Sequence, residues 1–352
     1  MNMPKAIQEK VFAALAGFAV GEALSWTSPF NRSQLMPAWL HRIRSDIEKD
    51  RYHKHITSIP VPFSLNQHPG YLYPGPADLT EWMAWSGSQL LKYGGVFNAS
   101  MLESAWKPLV DQSEHLHSRI SIHAALKNMK KGFTAPESGH FNPHYFDDAA
   151  LPRALIIGLV HAKEPNTASA QAALDASFTH YDEGVYSAQA LATAMSYAFN
   201  GLDFYHVFDS VMMEIPSQTL TYKSVRKALD CVPRAEGSPV KLAFLLLREV
   251  CSPEYSYGNI AHEILGCALA IVHLTKGDFD QTLATAALLP RLGSGLMAVS
   301  GSMAAMMTGL PDTLWLDEAF LTLRGDFVPS VKGLSLINLA EELAKIMINR
   351  NK

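Results

Sequence analysis

Alternating apolar and polar runs, the mark of half-buried strands, are nearly absent from this chain of 352 residues. Cysteine is scarce as well: Cys231, Cys251 and Cys267 are too few, and odd in number, for a disulfide framework. All three lie in or beside apolar helical patterns, which points to buried thiols in a reducing, cytoplasmic setting. Charged residues make up 18% of the chain, below the roughly 25% of an ordinary soluble domain. That shortage implies a large buried core and few solvated tails. Concentrated positive charge is missing too. The formal net charge is −4, and the one basic block is Lys127-Asn-Met-Lys-Lys131. A nucleic-acid partner needs a cationic face and is therefore not expected.

The start of the chain does not read as a secretory signal. Its apolar run is interrupted by Gly17, Gly21 and Glu22, and no small-residue cleavage site follows. From Leu292 to Pro311 there is no charge at all, over about the length a bilayer requires. Aromatic belts and paired Lys/Arg flanks are missing around it, so the expectation is a helix buried on every side and no membrane span.

What the sequence does contain is helical periodicity. It predicts helices near 4–24, 34–50, 78–93, 99–113, 118–130, 148–163, 167–178, 184–200, 202–214, 219–231, 238–251, 259–274, 279–289, 295–309 and 334–349. Asn98 and Ser118 read as N-caps, Gly132 and Gly277 as stops, and Pro311 as the residue beyond the uncharged helix. Irregular stretches fall at Thr57–Ala77 and between Gly132 and Phe146. No repeat, low-complexity tract or linker divides the chain, so residues 1–352 are expected to form one all-α domain.

Several segments, in order, carry a resemblance. They are Ala13-Ala-Leu-Ala-Gly-Phe-Ala-Val-Gly-Glu-Ala-Leu24, Ala77-Asp-Leu-Thr-Glu81, Asp148-Ala-Ala-Leu-Pro-Arg-Ala-Leu-Ile-Ile-Gly-Leu159, Thr179-His180 with Asp182-Glu-Gly184, Gly277-Asp-Phe-Asp-Gln-Thr-Leu-Ala284 and Ala298–Gly309. Together they resemble the ADP-ribosylglycohydrolase family. The resemblance implies a compact orthogonal multi-helix bundle with a cleft where helix ends meet. It also implies two magnesium ions there and cleavage of a glycosidic bond of ADP-ribose. Magnesium is a hard ion that wants near-octahedral oxygen ligands, and a pair of such ions can clamp ribose hydroxyls and hold a water.

This chain departs from the pattern at the ligands. Aligned without gaps from Gly301, the family's Gly-Asp-x-Asp-Thr falls on Arg291-Leu292-Gly293-Ser294-Gly295. Its Thr-Asp-Asp-Thr falls on Ala77-Asp78-Leu79-Thr80, and a glutamate that some members carry falls on Pro29, beside Phe30. The dinuclear magnesium cofactor is therefore expected to be absent, with no metal ligands assigned.

Glu22, Asp78, Asp147, Asp148, His180, Asp182 and Glu183 all sit in segments that line the family's cleft. Glycosidic cleavage without metal needs an acid or base and groups that favour an oxocarbenium-like transition state. The expected catalytic pair is Asp78 with Asp148. Expected substrate-binding residues are Glu22, Thr80, Arg153 (as an anion-binding group), His180, Asp182 and the Gly293-Ser294-Gly295 turn, whose amides at a helix start suit a phosphate. Each has an ordinary structural reading: first-turn or capping carboxylates, a hydrogen-bonded histidine, a plain turn.

His262-Glu-Ile-Leu-Gly266 begins like a zincin helix but lacks the second histidine. Tyr71, Tyr73, Trp82 and Trp85 flank Asp78, and such rings either stack on a nucleobase or pack in a core. Two functions stay open: a diverged hydrolase acting on an ADP-ribosyl, N-ribosyl or related small substrate, or a non-catalytic relative binding a nucleotide, an ADP-ribosylated protein or another protein.

Overall fold

A computed structural model describes residues 3–25, 75–114, 116–201, 204–252, 258–312, 314 and 316–350. The helix expected at 34–50, most of the stretch Thr57–Ala77, and Pro29, Phe30, Tyr71 and Tyr73 lie outside the described residues. Among those described, the regular structure is helical throughout, with no strand beyond two isolated bridges, Asp147 with Ile260 and Thr322 with Ser335.

The first helix, α1 (Met3–Leu24), is followed by α2 (Asp78–Lys92), α3 (Ala99–Asp111) and α4 (Ile120–Lys130). A single-turn helix at Glu137–His140 leads to a 3₁₀ turn, Asp148–Ala150, that runs into α5 (Leu151–Val160). Then come α6 (Pro165–Ala176), α7 (Glu183–Phe199), α8 (Phe204–Glu214), α9 (Leu220–Arg234) and α10 (Pro239–Glu249). The last third holds α11 (Ala261–Thr275), α12 (Phe279–Ala287), α13 (Gly293–Thr308), a single turn at Glu318–Leu321, and α14 (Leu336–Arg350).

Two kinds of helix build the bundle. α9 and α14 are amphipathic: Thr221, Ser224, Val225, Ala228 and Cys231 form the buried stripe of one, and Leu336, Leu339, Ala340, Leu343 and Met347 that of the other. α13 is different, being buried from Ser294 to Met306 on every side. It lies along α1, and small residues set the spacing. A Cβ on Gly21 would stand 2.1 Å from the carbonyl oxygen of Met297, and one on Gly17 would stand 2.6 Å from that of Gly301. The uncharged run is therefore the centre of the bundle, and no helix of the described residues is long and apolar enough to cross a membrane.

Trp82, Trp85, Trp106 and Phe178 stack in the interior beside α2, with Trp82 and Trp106 ring centres 5.4 Å apart. Both Trp82 and Trp85 belong to the core, and Trp85 also lines a pocket with Gln89, Pro108 and Ser330. Ser118 is not an N-cap. Arg119 holds that position before α4, and the Ser118 hydroxyl accepts from the Trp82 indole N–H at 2.9 Å. Asn98 caps α3 as expected, accepting from the Met101 amide. All three cysteines are free and buried.

Candidate functional site

The close crossing of α1 over α13 brings the C-terminal end of α1 to the start of α2. Ala77, which precedes α2, has no side chain able to cap it. Glu22 does so from α1. Its carboxylate accepts from the amides of Ala77, Leu79 and Thr80, each at 2.9 Å, and from the Thr80 hydroxyl at 2.6 Å. An anion there answers both the free amides and the helix dipole. Burial and the neighbouring Asp78 push Glu22 up to about 7. Asp78, the first residue of α2, is raised as well, by burial, against the pull of Arg119.

A second acidic pair stands opposite. Asp147 caps the 3₁₀ turn, accepting from the Ala149 amide at 3.0 Å, and also from the Ser121 hydroxyl at 2.7 Å. Its third partner is His180 Nε2 at 3.0 Å. Burial works to raise Asp147, but His180 and these donors hold it below the usual carboxylate range. Behind His180 the chain of contacts continues through Thr179 Oγ1, 2.7 Å from Nδ1, to Arg153.

Arg153 is fully buried; Nε donates to Asp175 at 2.7 Å, Nη1 to the Ala149 carbonyl and Nη2 to Thr179, while its plane lies over Trp106. These bonds engage all three guanidinium nitrogens within the fold. Asp182 lies apart from the cluster, exposed at the start of α7 with a left-handed backbone, φ 45°.

Asp148, Asp78 and the first turn of α13 meet around one cation, Arg119. Its Nε donates to Asp148 Oδ1 at 3.0 Å and lies 3.6 Å from Asp78 Oδ2. Its Nη2 donates to Ser294 Oγ at 2.9 Å and reaches Asp148 Oδ2 at 3.4 Å. Burial pushes Asp148 up to about 7 even beside this guanidinium, with Asp147 and Asp78 adding to the rise. Gly293 opens α13 at φ 47°, and Gly295 makes room for the acid: a Cβ there would stand 2.3 Å from Asp148 Oδ2.

The structure thus brings together Glu22, Asp78, Thr80, Asp148, Ser294 and Gly295, sets His180 and Arg153 behind them, and leaves Asp182 outside. Arg119 and Ser121, which organise the cluster, carry no sequence signal beyond their place at a helix start.

These donors do not fit a pair of magnesium ions. Both oxygens of Glu22 serve the α2 amides, and the Thr80 hydroxyl is spent on Glu22. Both oxygens of Asp148 face Arg119. Of the two buried acids on Arg119, Asp78 is the less engaged: Oδ1 has no hydrogen-bond partner and Oδ2 meets Arg119 Nε at 3.6 Å. Among the described residues no group of three or more His, Cys, Asp or Glu is placed to hold a metal ion.

On the other side of the same segment lies an open cleft of about 600 Å³, lined by Tyr145, Phe146, Lys223, Lys227 and His262 among others. The Phe146 carbonyl accepts from the Ala261 amide at 3.0 Å, tying the segment to the start of α11. Glu183 forms part of the floor and caps α9, accepting from the Leu220 and Thr221 amides at 2.7 Å each. Burial depresses His262 to about 4, so its ring is neutral near pH 7, and Nδ1 lies 2.9 Å from Ser224 Oγ. Lys223 and Lys227 are exposed on one face of α9 at its mouth, four residues apart.

No curated protein matches the chain. Among solved structures, an ADP-ribosylglycohydrolase-related protein complex superposes with a TM-score of 0.58 over 97% of this chain and 99% of the other, at 16% identity. That likeness concerns the fold. The sequence profile of the family described as ADP-ribosylglycohydrolase matches residues 3–344. With nearly every helix inside that span, the chain belongs to the ADP-ribosylglycohydrolase family.

Proposed function

We propose that the protein is a non-catalytic binder of an ADP-ribosyl or related nucleotide ligand, held in the cleft beside Tyr145 and Phe146. The observation that carries this reading is the division of labour across residues 145–148. The acids on the inner side are buried, Asp148 against Arg119 and Asp147 against His180, whereas the outer side carries the half-buried rings of Tyr145 and Phe146 and two exposed lysines that make no ion pair among the described residues. Phe146, half-buried with Tyr145 edge-on at 5.2 Å, suits an adenine ring. Lys223 and Lys227 suit phosphates. Binding of this kind needs neither metal nor an acid. The three reduced thiols suit a cytoplasmic setting, and one domain spanning the chain suits a single such cleft.

Titration calorimetry with ADP-ribose in the presence of EDTA tests it. Saturable binding is expected, weakened about tenfold by Phe146→Ala, since loss of a base-stacking ring is worth about 1–3 kcal/mol. Binding that requires Mg²⁺, or turnover of ADP-ribosyl-arginine by the purified protein, would remove the proposal.

One observation favours the alternative, a metal-free hydrolase. Asp148, pushed up to about 7, has the proton affinity of a general acid and lies two residues from Phe146, with Asp78 across Arg119 as the second carboxyl. In that reading Asp78→Ala and Asp148→Asn each abolish turnover of an ADP-ribosyl substrate while substrate binding persists.

A further inference from the structure

Two acids buried as deeply as Asp78 and Asp148, at 1% and 0% exposure, require a counter-charge, because an isolated carboxylate in the interior is far too costly. In the family this counter-charge is expected from divalent ions. Here it comes from the chain itself. Arg119 is 2% exposed, and its guanidinium touches Asp148 through two nitrogens, Asp78 through one and the first turn of α13 through Ser294. Two of these segments, the start of α2 and the first turn of α13, are those on which the family's metal-ligand runs fall.

We propose that Arg119 is a resident cation that stands in the place of the family's divalent ions, so that the site is organised with no metal at all. The surrounding residues agree with a single planar cation. Two magnesium ions would bring four positive charges against the two carboxyls of Asp78 and Asp148, whereas one guanidinium brings one and leaves a single negative charge that protonation of one acid can remove. Ser294 offers Arg119 a neutral acceptor where an aspartate would add a third negative charge. Gly295 carries no side chain, and a threonine at that position would drive its Cβ into Asp148 Oδ2. Ser294, Gly295 and Asp148 thus form one consistent set around Arg119. Its backbone is fixed in turn: Ser118 before it holds the Trp82 indole, and Ser121 after it holds Asp147. The guanidinium is therefore built into the floor of the site, and its position does not depend on a ligand. This inference concerns the ion site and is independent of what the cleft binds.

Paramagnetic titration of the full chain with Mn²⁺, reading the free-ion signal, tests the proposal. The wild type is expected to show no specific site up to about 1 mM Mn²⁺. Arg119→Ala frees both acids and is expected to gain one site per chain, with Kd at least tenfold lower than any wild-type binding, and Asp148→Asn in the same background is expected to remove it. Arg119→Gln, which keeps polar donors toward Asp148 and Ser294, carries the same expectation should Arg119→Ala not fold. Stoichiometric Mn²⁺ binding by the wild type that disappears in Asp78→Asn or Asp148→Asn would overturn the proposal. So would a folded Arg119→Ala or Arg119→Gln protein that gains no site.

Discussion

The two sides of the segment 145–148 make a useful contrast. Inward, Asp147 and Asp148 meet His180, Ser121 and Arg119 in a region without exposure, and almost every polar atom has a protein partner. Outward, Tyr145 and Phe146 face an open cleft whose lysines are exposed. Four consecutive residues thus serve two environments with opposite electrostatic rules. In the closed region a charge is costly unless paired, so removing one partner acts mainly on stability. In the open cleft a charge is solvated, so removing it acts mainly on ligands. Asp147 and Asp148 point inward to paired partners, while Lys223 and Lys227 stay exposed at the mouth of the cleft.

The sharpest way to break this contrast is Arg153→Met, in the network behind His180. The Arg153–Asp175 pair is 0% and 1% exposed at 2.7 Å, and removing one member leaves an uncompensated buried charge. The expected loss is about 3–5 kcal/mol of unfolding free energy, measured by urea titration. A loss below about 1 kcal/mol would show that the Arg153–Asp175 pair contributes little to the fold.

Next in size is the pH dependence of stability. The folded values of Glu22 and Asp148, both raised to about 7, lie above their ordinary values of 4.5 and 3.8. The folded state therefore holds more protons than the unfolded chain between about pH 4 and 7. The stability these groups supply is fully present below that window and lost as pH rises through it, at up to about 1.4 kcal/mol per pH unit for each group. Asp147, held low by His180, contributes in the opposite sense below its ordinary value. Asp148→Asn is expected to flatten the decline between pH 5 and 7 in chemical-denaturation series. An unchanged slope would show that Asp148 is ionised throughout.

A third test leaves charge aside. Gly21→Ala forces a Cβ toward the Met297 carbonyl at 2.1 Å, and the obstacle is backbone. Overpacking of this kind costs about 1–3 kcal/mol, toward the upper end here, and should lower the melting temperature while leaving α2 to Glu22's capping. Gly132→Ala, whose Cβ meets nothing within 4 Å but whose φ is 92°, separates backbone strain from crowding.

Much of this architecture is legible in the residues. The pattern around Leu220–Arg234 predicts a helix because burial repeats every three or four residues, and the uncharged run after Leu292 predicts a central helix because it carries no charge that would hold a face in water. Single-turn helices such as Glu318–Leu321 are too short to show a period. Glu22 and Asp78 stand together at the start of α2, and Asp78, Asp148 and Ser294 meet around Arg119. Arg119 does not announce itself, because its meaning lies in partners 29 and 175 residues away. Ser118 misleads for a related reason: a serine before a helix reads as a cap, but here an indole from another helix claims its oxygen. Local chemistry predicts local bonds, and a tertiary partner overrides them.

The smallest expected effect on stability is the most telling for function. Lys227 is exposed and makes no ion pair among the described residues, so Lys227→Gln should change unfolding free energy by less than about 0.5 kcal/mol. If the cleft takes a diphosphate-bearing ligand, the same substitution should weaken ADP-ribose binding about threefold to tenfold and reduce its salt dependence, because a charge contact to phosphate is lost without disturbing the fold. The comparison with Arg153→Met then becomes quantitative. One arginine matters to the fold and should not move ligand affinity in the protein that remains folded, whereas one lysine matters to the ligand and should not move the fold. Calorimetric titration at two ionic strengths reads both. Equal affinities for wild type and Lys227→Gln at low salt would place the phosphates elsewhere and return attention to the amides at the start of α13.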